Sequence, residues 1–116
     1  MSASASSASD LVRVCSVHDV APESAIAVEV GRDDLAIVHS NGVFYAIADE
    51  CSHAAIPLSE GEVENGEIEC YLHGSRFDLR TGEPTGLPAT EPVPVYPVRL
   101  EDDAVLVDVS QPLALP

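Results

Sequence analysis

Two short segments of the chain each place a cysteine close to a histidine. The first is Cys51-Ser52-His53, and the second, after a gap of sixteen residues, is Cys70-Tyr71-Leu72-His73. Each segment offers one thiolate and one imidazole, and the close spacing lets one backbone turn direct both groups at the same centre. A paired spacing is far more specific than a lone cysteine or histidine. It predicts one metal centre with four ligands, Cys51, His53, Cys70 and His73.

These residue types leave the identity of the metal open. Two cysteines and two histidines are a permitted tetrahedral set for structural zinc, and thiolates and imidazoles also hold iron–sulfur clusters. The third cysteine, Cys15, stands alone in the run LVRVCS, so we predict a buried apolar side chain there and no metal ligand. Three cysteines without a recognisable export signal are a poor basis for disulfides. The pattern therefore predicts either a redox centre or a zinc-binding interaction module.

The sequence around the ligands has the pattern of an all-β protein. Short apolar runs of alternating character recur, and none sustains the 3.6-residue period of an amphipathic helix. The predicted strands are Leu11–Cys15, Ala25–Val30, Leu35–His39, Val43–Ala48, Glu67–Cys70, Arg76–Leu79, Val93–Leu100 and Ala104–Val109. The cysteine–histidine segments fall in two longer connections, so we expect two loops to clamp the metal centre.

Two Asn-Gly pairs mark hairpins that should position those loops. Asn-Gly is the strongest short hairpin signal, because both residues tolerate positive φ. Asn41–Gly42 predicts that strands 35–39 and 43–48 pair, and Asn65–Gly66 predicts a hairpin whose second arm delivers Cys70. The segment Pro84–Pro97 contains five prolines, which cannot donate to a strand ladder. We expect a loop or a sheet edge there.

The chain length of 116 residues fits one domain. We predict a disordered Ser/Ala-rich tail over residues 1–10, a single domain over residues 11–110 and a C-terminal tail over residues 111–116. No signal peptide is recognisable, and no run approaches about 18 consecutive apolar residues. We therefore expect a cytoplasmic monomer with no membrane partner.

The charge balance is strongly acidic. Five Arg and no Lys stand against twenty Asp and Glu, which gives a formal net charge of -15. This charge excludes nucleic acid and anionic membranes as partners, because both repel an acidic surface. It indicates either a solvated acidic surface or electrostatic steering toward a positively charged protein.

Cys-x-His, followed after sixteen residues by Cys-x-x-His, resembles the motif of Rieske iron–sulfur proteins, in which two histidines replace two cysteines on one iron. The resemblance covers roughly residues 11–109. It includes the segments Gly42–Ala46, Gly74, Phe77–Asp78, Thr81–Glu83 and Tyr96–Val98. It implies a Rieske-like antiparallel β-sandwich with a small cluster-binding subdomain formed by two loops.

The resemblance also implies one Rieske-type [2Fe-2S] cluster, with Cys51 and Cys70 on an inner iron and His53 and His73 on an outer, more exposed iron. A neutral imidazole in place of a thiolate makes that iron easier to reduce than in an all-cysteine cluster.

Four further positions bear on the reduction potential that the resemblance implies. Respiratory Rieske proteins carry a bridged cysteine pair where this chain has Ile56 and Leu72, and a tyrosine where it has Phe77. Ser75 occupies the place of a serine that hydrogen-bonds the cluster, which we take as a hypothesis beside a simple turn-capping role. The missing groups imply a potential near the lower end of the Rieske range, about −150 mV.

A cluster with no open coordination position transfers electrons and transforms no substrate, so the chain is predicted not to be an enzyme. It resembles the ferredoxin component of multicomponent aromatic-ring dioxygenases, which implies transfer from a flavin-dependent NAD(P)H reductase to a terminal Rieske non-haem iron oxygenase. The alternatives are a small subunit or partner of an assimilatory nitrite reductase-like enzyme, a role beside iron–sulfur assembly machinery, and the redox-silent zinc module.

Overall fold

The computed structural model describes residues 11–31, 33–51, 56–71, 74–86 and 91–109, and their regular structure is almost entirely β, as predicted. Two short 3₁₀ helices, Val17–Asp19 and Leu58–Glu60, lie between strands. The predicted tails, residues 1–10 and 111–116, lie outside the described residues. The strands are, in chain order, β1 (Leu11–Ser16), β2 (Ser24–Val30), β3 (Asp33–Ser40), β4 (Val43–Ala48), β5 (Val63–Glu64), β6 (Glu67–Glu69), β7 (Arg76–Asp78), β8 (Pro84–Gly86), β9 (Val95–Tyr96), β10 (Val98–Glu101) and β11 (Ala104–Asp108).

The described strands form three antiparallel sheets. The outer sheet has the order β1-β11-β10, the middle sheet the order β2-β3-β4-β9, and the small sheet the order β5-β6-β7-β8. In the middle sheet, β3 pairs with β4 from Leu35↔Ala48 to Ser40↔Val43, which confirms the first predicted hairpin. Its turn residues Asn41 and Gly42 have φ of 54° and 78°, the left-handed conformation that such a turn requires.

The centre of the middle sheet, at β3, is buried on both faces. Successive side chains of a strand point to opposite faces, and four consecutive residues of β3 are fully buried. Leu35 and Ile37 belong to an apolar cluster shared with the outer sheet, whereas Ala36 and Val38 belong to one shared with the small sheet. The outer and middle sheets thus form a sandwich. The small sheet packs on the opposite face of the middle sheet.

The small sheet carries the second predicted hairpin. Asn65 and Gly66, with φ of 53° and 79°, connect β5 to β6, and β6 leads directly into Cys70. β6 then pairs with β7, with Ile68 opposite Phe77. Both side chains are fully buried against the middle sheet. The Asn-Gly signal therefore predicted correctly how the chain reaches the second cysteine.

The structure differs from the predicted strands in three places. β5 and β8 were not predicted, because runs of two or three residues are too short to show alternation. The predicted strand Val93–Leu100 is divided at Pro97 into β9 and β10, which lie in different sheets. Proline has no N–H for a ladder, and β8 and β9 are edge strands, as the five prolines indicated. Within the described residues, no helix is long and apolar enough to cross a membrane.

Candidate metal centre

The structure brings the two predicted cysteine ligands into one core. Cys51 lies three residues beyond β4 and is 3% exposed, and Cys70 directly follows β6 and is 1% exposed. Both belong to the apolar cluster between the middle sheet and the small sheet. The predicted histidine ligands, His53 and His73, lie outside the described residues. The structure therefore shows where both cysteines lie, and all four residues stay predicted ligands.

Each cysteine begins a loop that is closed by its own backbone. The N–H of Cys51 donates to the carbonyl of Ile56 at 2.9 Å, and the N–H of Cys70 donates to the carbonyl of Ser75 at 2.6 Å. In both cases the acceptor lies five residues after the cysteine, so each closed loop has four residues between donor and acceptor. Gly74, with φ of 79°, also donates to the carbonyl of Cys70 at 2.9 Å. One predicted histidine ligand falls within each loop.

The carboxylate of Asp49 joins the two ends of the segment that contains the first loop. The backbone N–H of Ser59 donates to Asp49 Oδ1 at 2.6 Å, and the Ser59 hydroxyl donates to Asp49 Oδ2 at 2.8 Å. Asp49 follows β4, and Ser59 lies in the 3₁₀ helix Leu58–Glu60, so these bonds join the two ends of the segment that contains Cys51. Hydrogen bonds to a charged group are among the stronger ones in proteins. This role of Asp49 was not predicted from the sequence.

The end of the first segment packs directly on the base of the second loop. A Cβ atom on Gly61 would overlap the carbonyl oxygen of Glu69, the residue before Cys70. The N–H of Glu69 donates to the carbonyl of Glu62 at 2.8 Å. This close backbone approach needs a residue without a side chain at position 61. Gly61 therefore sets the distance between the two cysteine-bearing segments.

A buried hydroxyl and one carboxylate join the two Asn-Gly turns. The carboxylate of Glu23 accepts from the Asn41 N–H at 2.7 Å and from the hydroxyl of Ser40 at 2.9 Å, and it also accepts from the Asn65 N–H. Ser40 is fully buried, and its hydroxyl oxygen accepts from the Gly66 N–H at 2.9 Å. These bonds, led by the one from Asn41, lower the pKa of Glu23 below its usual range. The network ties the hairpin that delivers Cys70 to the middle sheet.

Arg76 places a cation on the small sheet, among glutamates. Its Nε lies 2.9 Å from Glu67 Oε1, and its other nitrogens lie 3.7 Å from Glu69 and 3.8 Å from Glu64. The hydrogen bond to Glu67 raises the pKa of the guanidinium, so Arg76 is charged at any physiological pH. The cation is thus already surrounded by carboxylates of its own sheet.

The structure also places three of the residues singled out by the resemblance. Ile56 packs against the core that contains both cysteines, and Phe77 is fully buried within it. Ser75 is fully buried, and its backbone carbonyl accepts the hydrogen bond that closes the second loop; turn capping by its hydroxyl stays a prediction. A bond from its hydroxyl to a cluster stays a prediction. Leu72 lies outside the described residues.

The described donors fit an iron–sulfur cluster. Two thiols at the start of matched loops, within one apolar core, provide thiolate ligands in a surrounding that excludes water. The same two thiols would also suit zinc, so the donor chemistry alone does not decide between these metals.

Comparison with known proteins does distinguish them. The sequence matches the family described as Rieske [2Fe-2S] domain over residues 10–97. The ferredoxin component of biphenyl 2,3-dioxygenase from Rhodococcus jostii (strain RHA1) is 41% identical over 100 residues, which cover 86% of this chain and 94% of that protein.

Solved structures show the same likeness. The ferredoxin of carbazole 1,9a-dioxygenase from Nocardioides aromaticivorans IC177 is 40% identical, with a TM-score of 0.78 over 84% of this chain and 95% of that chain. A chain in the complex of reduced oxygenase and oxidized ferredoxin in carbazole 1,9a-dioxygenase is 35% identical, with a TM-score of 0.79 over 84% of this chain and 92% of that one.

These matches confirm the predicted resemblance and the predicted [2Fe-2S] cofactor, and they set the zinc alternative aside. The relatives are named as ferredoxin components, which are electron-transfer subunits, so the prediction that the chain is not itself an enzyme is also confirmed. The chain belongs to the Rieske [2Fe-2S] domain family.

Proposed function

We propose that Cys51, His53, Cys70 and His73 hold the [2Fe-2S] cluster of a domain that spans residues 11–110. The support is the burial of both cysteines in one core and the matched closure of the two loops, each with one histidine in its sequence. When bound, the cluster accepts and returns a single electron. The chain itself buries the two thiols, fixes the loop geometry through Asp49 and Gly61, and keeps water from the sulfur ligands.

We further propose that the chain carries electrons from a flavin-dependent NAD(P)H reductase to a terminal Rieske non-haem iron oxygenase, as a cytoplasmic monomer. The observation that carries this proposal is the 41% identity to a dioxygenase ferredoxin component across 94% of that protein's length. A homologous ferredoxin complexed with its oxygenase supports the choice of partner.

The proposed carrier works at low potential, near the lower end of about −150 mV for Rieske centres. Phe77 has no hydroxyl to offer, and its ring is fully buried in the core beside the ligand cysteines. Ile56 packs apolar surface at a position where respiratory relatives carry a bridging cysteine. Fewer hydrogen bonds toward the cluster stabilise its reduced, more negative state less, which lowers the potential.

The acidic surface provides long-range attraction to the partners. With a formal net charge of -15, the protein would be steered toward basic docking surfaces, and this attraction weakens as salt screens it. We expect the bimolecular rate of electron transfer to fall as ionic strength rises from about 0.01 M to about 0.5 M, over which the Debye length shrinks several-fold. A rate that stays flat across this range would contradict steering.

The proposal is tested by reconstituting the electron path. The purified holoprotein is reduced anaerobically by a flavoprotein reductase with NADH, and is then mixed with the terminal oxygenases of the Rhodococcus jostii biphenyl and Nocardioides aromaticivorans carbazole dioxygenases. We expect reoxidation of the carrier and reduction of the oxygenase cluster, followed in the visible spectrum. Transfer to a sirohaem nitrite reductase and to neither oxygenase would overturn the proposed partner while retaining the carrier role.

Ser75 provides a separate test of how the potential is set. If its buried hydroxyl donates to the cluster, Ser75→Ala lowers the midpoint potential by about 40 mV, the equivalent of one ordinary hydrogen bond in a one-electron couple. The measurement is a redox titration of wild type and Ser75→Ala. Thr81→Ala is the control, because it removes a hydroxyl that bonds the Glu83 N–H. An unchanged potential in Ser75→Ala would limit this serine to closing the loop.

A further inference from the structure

We propose that Tyr71 is the apolar anchor of a docking surface for the terminal oxygenase, and that exposed carboxylates form the rim of this surface. The inference rests on the proposed function and identifies where that function takes place on the molecule. Tyr71 is 53% exposed, more than the other exposed large apolar side chains Val12, Val43 and Leu100. Large aromatic side chains that stand out from a surface are frequent anchors of protein interfaces.

The residue before Tyr71 is held by two backbone hydrogen bonds. Tyr71 follows Cys70, whose N–H donates to the Ser75 carbonyl at 2.6 Å and whose carbonyl accepts from the Gly74 N–H at 2.9 Å. A tyrosine has only two side-chain torsions, so its ring loses little entropy when a partner covers it. Because Cys70 is a proposed cluster ligand, a protein that covers Tyr71 also comes close to the cluster.

Three exposed carboxylates lie along the segments that flank the two cysteines. The hydrogen bond from the Glu69 N–H to the Glu62 carbonyl places the chain around Glu60 and Glu62 beside residue 69, two positions before Tyr71. The side chains of Glu60 and Glu62 are exposed. Glu50, also exposed, precedes Cys51, the other proposed thiolate ligand.

No cation in this part of the sequence offsets those carboxylates. The chain has no Lys or Arg between Arg32 and Arg76. Arg76 itself lies among Glu64, Glu67 and Glu69 on the small sheet. An apolar anchor inside an acidic rim is complementary to a partner surface that presents an apolar hollow inside a rim of Lys and Arg.

The terminal oxygenase is the occupant that the comparisons favour. A homologous ferredoxin, 35% identical to this chain, is found in complex with its reduced oxygenase. The flavoprotein reductase is the competing occupant, since it must also approach the cluster. The two are separated by measuring each half of the electron path with the same variants.

The test compares Tyr71→Ala and Tyr71→Phe with wild type in the stopped-flow reaction of reduced carrier with whichever of the biphenyl and carbazole oxygenases accepts its electrons. Val43→Ala is the matched control, because Val43 is 47% exposed and lies at the other end of β4, about 17 Å along the strand from Ala48. We expect Tyr71→Ala to lower the second-order rate constant about tenfold, Tyr71→Phe to stay within about twofold, and Val43→Ala to match wild type.

Two further readouts distinguish docking from a change at the cluster. The visible spectrum and the midpoint potential should be the same in all variants. The double variant Glu60→Gln/Glu62→Gln should flatten the dependence of the rate on salt, whereas Tyr71→Ala should retain it. A shifted potential in Tyr71→Ala would overturn the inference, because the tyrosine would then act on the cluster.

The remaining outcomes separate this inference from the proposed function. If wild type reduces an oxygenase and Tyr71→Ala does so equally well, the docking inference fails and the proposed function stands. If Tyr71→Ala slows only reduction by the reductase, the surface belongs to that partner and the inference is wrong. If wild type reduces neither oxygenase, the proposed function fails, and the docking inference fails with it.

Discussion

The loop that follows Cys51 and the loop that follows Cys70 close in the same way but are supported by different parts of the molecule. In each, the cysteine N–H donates to the carbonyl five residues later. The first loop depends on a side chain, the carboxylate of Asp49 bound twice by Ser59. The second loop continues a strand ladder, with Glu69 opposite Arg76 and Ile68 opposite Phe77.

This difference shows that the same closing hydrogen bond at two cysteines need not come from the same scaffold. A strand ladder fixes the second loop through backbone hydrogen bonds that are largely independent of side-chain identity. The first loop leaves the middle sheet and returns through a 3₁₀ helix, so one side chain has to fasten it. We expect the first loop to be destabilised by substitution of Asp49 alone. We expect the second loop to be destabilised by substitution of a residue that packs on it, such as Gly61.

The largest effect tests whether both loops are equally necessary for the cluster. Cys51→Ser and Cys70→Ser should each abolish cluster binding, because a hydroxyl is a poor substitute for an iron-ligating thiolate. Cys15→Ser should retain the full cluster, since Cys15 lies in the other apolar core. Iron and acid-labile sulfide content and the visible spectrum measure the outcome. Full cluster content in either ligand variant would show that the loops are not equivalent.

The next effect tests the contact between the loops. Gly61→Ala would force a methyl group into the carbonyl of Glu69, so the base of the second loop has to move. We expect the Tm of the holoprotein to fall by more than about 10 °C, as for a severe overpacking substitution. Gly31→Ala is the control, because a Cβ there meets nothing within 4 Å and only the φ of 62° is strained. Equal shifts in the two variants would contradict the close approach at Gly61.

A smaller effect is expected from unfastening the first loop alone. Asp49→Ala removes both hydrogen bonds to Ser59, at a cost of about 2 kcal/mol for a charged acceptor. Chelator-driven bleaching of the cluster should be faster, while Glu50→Ala, at the exposed neighbouring position, should bleach at the wild-type rate. An Asp49→Ala protein that bleaches no faster than wild type would mean that backbone closure by Ile56 is sufficient.

The smallest effect is the pH dependence of the stability that Glu23 contributes to the hairpin before the second loop. The pKa of Glu23 is lowered by its bonds from Asn41 and Ser40, so the folded state binds a proton there more weakly than the unfolded chain does. This stabilisation is present above the ordinary glutamate pKa of about 4.3 and is lost as pH falls through the lower folded value. Wild type should therefore be more stable than Glu23→Gln at pH 7, and the difference should shrink below about pH 4. Thermal melts of both proteins across pH 3.5–7, by far-ultraviolet circular dichroism, measure it; a pH-independent difference would contradict this role.

Local signals were enough to predict much of the fold. The alternation of short apolar runs predicted the long strands, and the pairs Asn41–Gly42 and Asn65–Gly66 predicted both hairpins, because a tight turn depends on the φ preferences of its own residues. The cysteine–histidine spacing predicted that Cys51 and Cys70 face a common metal centre; both cysteines do lie in one core, and their binding of the metal stays a prediction.

The hydrogen bonds and contacts that support the two cysteine-bearing segments could not be predicted from a local sequence pattern. The bonds of Glu23 to Ser40 and of Asp49 to Ser59 join residues that are far apart along the chain, and an exposed-looking carboxylate in a sequence does not reveal its partner. The need for glycine at position 61 arises only when residue 69 packs on it. Likewise, the division of one apolar run at Pro97 between two sheets depends on tertiary packing, which single-residue preferences do not encode.

The position of Cys15 has a consequence for how the protein acquires and keeps its metal. Cys15 belongs to the core between the outer and middle sheets, whereas Cys51 and Cys70 belong to the core on the opposite face of the middle sheet. Burial raises the pKa of the Cys15 thiol, which keeps it protonated and unreactive. The middle sheet thus separates Cys15 from the other two cysteines. In the folded chain, Cys15 can therefore neither join a metal centre at Cys51 and Cys70 nor form a disulfide with either of them.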